Sequence, residues 1–173
     1  MLSGLAVFFA VSAAVIAAHK LGHYLTGRLL VGIPAADIRL VVASLPQYVA
    51  LRDGDRWANP TDFERYLTAY HRYDPELAHA APFLAAGELA QTAGVVSIAG
   101  VGMVSGVDVV AQSAVLASVM LVGYHLIADL ALNFHMGHPT GDFSALWYHS
   151  PMTAAVVGLL VAIPHAVLYA VLI

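Results

Sequence analysis

The sequence predicts an all-α integral membrane protein with about four transmembrane helices, plus a short β-hairpin-like segment and an interfacial helix in the first cytoplasmic loop. Three observations lead there. Of 173 residues, 60% are hydrophobic and only 10% charged, whereas about a quarter of a soluble domain is charged. Mean hydropathy is +0.78. Four stretches each approach the roughly 20 apolar residues that cross about 30 Å of hydrocarbon. A soluble enzyme and a disordered chain are thereby excluded. A formal net charge of -4 with seven Lys and Arg leaves no basic patch, so no nucleic acid partner is expected. With no cysteine, disulfides, thiolate metal sites and cysteine nucleophiles drop out. The length suits a single membrane domain over 1–173, with the lipid bilayer as its partner.

The first span covers about 2–25; no Lys or Arg precedes it, so it reads as a retained helix rather than a cleaved leader. A loop follows over about 26–81. Within it, Asp37 to Leu51 is rich in β-branched residues around Pro46, which predicts two short strands. Thr61 and Glu64 have the spacing of a capping box. Phe63, Tyr66, Tyr70 and Tyr73 recur at helical spacing, which predicts a helix at headgroup level; packing against the protein is the other reading. The remaining spans cover about 82–104, 109–134 and 152–173, the second and third forming an antiparallel hairpin through Ser105 to Asp108. Apart from Lys20, every basic residue (Arg28, Arg39, Arg52, Arg56, Arg65 and Arg72) lies in the long loop. The positive-inside bias makes that loop cytoplasmic and puts both termini outside.

Ionisable residues within spans default to functional hypotheses. His19 and His23 are four apart, so their imidazoles share one helical face and can share a metal. His125 and Asp129 are also four apart, able to contact each other, to orient a ligand or to make an interhelical hydrogen bond. His135 and His138 lie near the water boundary, Asp142 opens a helical turn with an N-cap as its plain reading, and Glu88 sits inside the second span.

Three separated segments follow one known pattern. His19-Lys20-Leu21-Gly22-His23 resembles the HExxH segment of the site-2 protease family of intramembrane zinc metalloproteases, in which HELGH is common. Ala86-Gly87-Glu88-Leu89-Ala90-Gln91 resembles that family's AGPLAN segment, and Asn133 through Pro139 to Asp142-Phe143 its Asn…Pro…Leu-Asp-Gly motif. The resemblance implies that His19, His23 and Asp142 are metal ligands for zinc, with a fourth position open as in catalytic zinc sites. It also implies a site near the cytoplasmic face and a transmembrane protein client.

The chain departs from the pattern at the catalytic position. Lys20 stands in the general-base position, a cation where the family has a glutamate. Losing a base that contributes about 10²–10⁴-fold predicts a peptidase-inactive relative. Glu88 replaces a proline. Its expected role is an ion pair with Lys20; a Lys20–Asp142 pair in place of the metal, or Glu88 as a substitute base, are the alternatives. An active but atypical intramembrane zinc metalloprotease is the second reading of the whole chain. A membrane di-iron hydroxylase or desaturase is the third, although only four box histidines are present. A transport or structural subunit is the last, disfavoured by the lack of a repeated half.

Overall fold

The computed structural model describes residues 2–44 and 47–172. Among the described residues the order is α1 (Leu2–Leu29), β1 (Ile38–Val41), β2 (Tyr48–Asp53), β3 (Arg56–Ala58), α2 (Phe63–His71), α3 (Ala80–Val104), α4 (Asp108–Met136), α5 (Asp142–His149) and α6 (Pro151–Leu172). Helices α1, α3, α4 and α6 are long and apolar enough to cross a membrane. They coincide with the four expected spans to within about a turn. Their polarity is inverted relative to a water-soluble bundle. Phe9, Ile127, Leu130 and Phe134 face outward, while Glu88, Gln91, Ser118 and Asp129 are buried.

Helix α1 packs on α3 and α4, and α6 closes against α3 and α4. The α1–α3 crossing is a backbone contact: a Cβ on Gly22 would lie 2.2 Å from the Ala86 carbonyl oxygen. Small residues permit such an approach where dispersion rather than the hydrophobic effect holds helices together. A polar chain ties three helices. Gln91 Nε2 donates to Ser118 Oγ at 2.9 Å, and Ser118 Oγ donates to His165 Nε2 at 2.6 Å. His165 Nδ1 in turn donates to the Val161 carbonyl at 2.7 Å.

The sheet is antiparallel in the order β1-β2-β3, with Ile38 opposite Leu51 and Leu51 opposite Ala58. The two expected strands are present. The third, Arg56–Ala58, was not expected, because three residues are too few to display alternation. Pro46 lies outside the described residues. The expected Thr61–Glu64 capping box does not form. Asp62 is the N-cap of α2 and makes no side-chain cap bond. Thr61 instead donates both its N–H and its hydroxyl to Asn59 Oδ1, each at 3.0 Å, a local turn that competes with capping. The tyrosine stripe faces the protein: Tyr66, Tyr70 and Tyr73 pack on a core of Ile38, Val49, Leu51 and Phe83. Packing on the protein is the contact that these residues make in the structure.

Helix α5 positions the acid of the third motif. Gly141 is its N-cap and Asp142 its first residue, so Asp142 is not the cap that its plain reading suggested. The capping acceptor comes from another helix. Asp129 of α4 accepts a hydrogen bond from the Ser144 N–H at 2.7 Å, satisfying one of the donors that every helix start leaves free.

Candidate metal centre

The site is built where α1, α3, α4 and α5 converge. His19 and His23 project from one face of α1 into a cavity of about 400 Å³, lined also by Lys20, Glu88, His125 and Asp142. Asp142 Oδ2 lies 3.3 Å from His19 Nε2 and 3.0 Å from His23 Nε2. The residues of the first and third motifs therefore meet although 119 positions separate His23 from Asp142. The helix crossing makes room for them. A Cβ on Gly87 would fall 2.2 Å from His23 Nε2 and 2.7 Å from His19 Nε2, so only glycine fits beneath the two rings.

The donor set fits a divalent cation. His23 Nδ1 lies 2.9 Å from the Phe83 carbonyl, which can only accept, so Nδ1 carries the ring proton. A neutral His23 then turns the lone pair of Nε2 toward a carboxylate oxygen at 3.0 Å. Two acceptors at that distance require a proton or a cation between them. The fixed tautomer is the arrangement that a backbone carbonyl imposes on metal-ligating histidines. Ligands of a tetrahedral site with bonds of about 2.0–2.1 Å stand about 3.3 Å apart, close to the separations seen. Burial pushes the Asp142 carboxyl up, but with the rings protonated the charge and hydrogen bonds of His23 and His19 outweigh it and hold the group well below the ordinary carboxylate range.

Glu88 has other partners than expected. Its Oε1 accepts from His125 Nδ1 at 3.0 Å and lies 3.8 Å from His19 Nδ1. No ion pair between Lys20 and Glu88, or between Lys20 and Asp142, falls within 4.0 Å among the described residues. Neither expected lysine pair is made as a direct contact. The reason is rotational: Glu88 leaves α3 toward α4 and the far side of His19. Residues His19, His23 and Asp142 form one group close enough to hold a metal ion, and His19, Glu88 and His125 form a second.

His135 and His138 join neither group. His138 stacks on Phe63 at 5.6 Å and 19° and donates to the Pro139 carbonyl at 3.0 Å. Asp129 does not pair with His125, because it caps α5. The Glu88–His125 contact, the Phe83 carbonyl and the role of Gly87 were missed by sequence reasoning. No spacing signal within α3 or α4 announces them. No known protein family, curated protein or solved structure matches the chain.

Proposed function

We propose that this chain is a multi-pass membrane protein related to the site-2 proteases, with zinc held by His19, His23 and Asp142, and with peptidase turnover lost to Lys20. The meeting of the Asp142 carboxylate with both imidazoles carries this reading. Two histidines one turn apart are common, but a third ligand arriving from a motif of the expected kind is not. Two nitrogens and one oxygen with an open position suit zinc. Zinc would supply Lewis acidity toward a carbonyl oxygen.

The chain's own residues complete the argument. His23 is oriented by the Phe83 carbonyl, and Asp142 by the capped start of α5. Lys20 sits one residue from His19 and lines the cavity, yet as an ammonium it has no lone pair with which to take a proton. Glu88 is no substitute. It lies against Nδ1 of His19, whereas Nε2 of the same ring faces Asp142, so the ring separates it from the reacting position. On this reading the chain would hold a segment without cutting it: Gln47, Tyr48 and Val49 line the cavity, and among the described residues β1 pairs with β2 alone. An unwound client segment could add to that free edge.

The test is cleavage of a membrane-spanning substrate by purified protein. The wild type is expected to leave it intact and Lys20→Glu to cut it, with the gained activity abolished by His23→Ala. Cleavage by the wild type that His23→Ala removes would establish the active-protease reading instead.

A further inference from the structure

We propose that His19, Glu88 and His125 form a second, inner seat for a divalent transition-metal cation, sharing the His19 ring with the outer seat at His23 and Asp142. The three side chains come from α1, α3 and α4, and their ligand atoms all lie within 4.8 Å of one another. Nδ1 of His19 and Nδ1 of His125 stand 3.8 and 3.0 Å from Glu88 Oε1. These separations are those of neighbouring ligands around one ion with bonds of about 2.0–2.2 Å.

A structural hydrogen bond does not account for the cluster. The His125–Glu88 bond uses one carboxylate oxygen and one ring nitrogen. It leaves Glu88 Oε2 and His19 Nδ1 buried without a hydrogen-bond partner among the described residues. Glu88 and His19 are both fully buried, at 0% exposure. An acid and an imidazole buried side by side are costly unless something joins them. A cation there engages His19, His125 and the carboxylate together, the ring proton of His125 being carried on Nε2. Two imidazoles with one carboxylate select a borderline ion such as zinc over calcium or magnesium, which prefer all-oxygen shells.

The outer and inner seats lie on opposite edges of one ring. A neutral imidazole has one lone pair for a metal, so His19 serves one cation at a time. Glu88, which stands where the protease pattern has a proline, supplies the carboxylate of the inner seat.

The test removes the outer seat and asks whether an ion stays. Purified His23→Ala/Asp142→Asn protein, loaded with zinc and washed, is expected to retain one equivalent by elemental analysis, and adding His125→Ala is expected to remove it. Loss of zinc from the double variant with helical content intact would overturn the proposal. Should that variant fail to fold, crystals of the zinc-loaded single variant Asp142→Asn decide. An anomalous peak bounded by Glu88 and His125 supports the inner seat, and the lack of a peak there overturns it. A peak at the inner seat with a Lys20→Glu variant that never cleaves would instead sink the protease kinship and leave this site standing.

Discussion

Gly87 sits beneath both site imidazoles, and the space it leaves is what admits them. Gly87→Ala would place a methyl 2.2 Å from His23 Nε2, so one ring must turn away. We expect loss of zinc retention with destabilisation of about 1–3 kcal/mol, the range for overpacking, read by metal analysis and thermal unfolding. Asp74 makes a separate prediction. Burial raises its carboxyl, but the His79 N–H, the Tyr70 hydroxyl and the Ala78 N–H outweigh burial and hold it below the ordinary range. These bonds measure 2.7, 3.1 and 3.0 Å. A group depressed in the folded state contributes stability above its unfolded value of about 4, and that contribution is lost as pH falls through the folded one. Asp74→Asn should therefore lower stability near neutral pH by on the order of 1–2 kcal/mol and flatten the acid limb of unfolding against pH. An unchanged acid limb would remove Asp74 from the account.

At the scale of elements, α5 depends on α4 for its start. Asp129 accepts from the Ser144 N–H, and a Cβ on Gly141 would lie 2.6 Å from Asp129 Cγ, so the two helices touch where Asp142 emerges. Asp129→Ala removes a cap worth about 0.5–2 kcal/mol. It should also weaken zinc retention, because Asp142 is the first residue of the helix that loses its anchor. Asp129→Asn keeps an acceptor oxygen and should restore much of both. A variant that loses stability but binds zinc as before would show that α5 is held by its other contacts. The sheet and α2 are tied by side chains: Asp53 of β2 pairs with Arg65 of α2 at 2.8 Å, and Tyr66 donates to the Val49 carbonyl at 3.2 Å. Aromatic spacing along α2 was readable in the sequence; which surface it meets was not, because protein and headgroups both accept tyrosine.

For the whole molecule, the orientation inferred from basic residues predicts that the 26–81 loop and the α3–α4 turn lie on opposite sides of the membrane. The chain has no cysteine, so single replacements report cleanly. Asp55→Cys should react with an impermeant thiol reagent from the cytoplasmic side and Ser105→Cys from the outer side; labelling from the same side would refute the arrangement. The four long helices were legible because a run of apolar residues needs no partner to declare itself. The convergence of His19, His23 and Asp142 was legible only as a motif pattern. Glu88 was placed in the correct helix but beside the wrong residue. Helices apolar on every side carry no periodicity from which to read rotation, and rotation about the Gly22–Ala86 contact decides that Glu88 meets His125 rather than Lys20. His165 went unnoticed for a similar reason, since its partner Ser118 is an ordinary small residue in any membrane helix.

The span of 119 positions between His23 and Asp142 has a consequence during synthesis. At 5–20 residues per second, a ribosome needs roughly 6–24 s to travel from one to the other. Throughout that interval the outer seat has its pair of rings and lacks Asp142. The proposed outer seat therefore lacks its third ligand until α5 has been made, and a truncated transcript ending before α5 would yield a polypeptide that has the two imidazoles without Asp142.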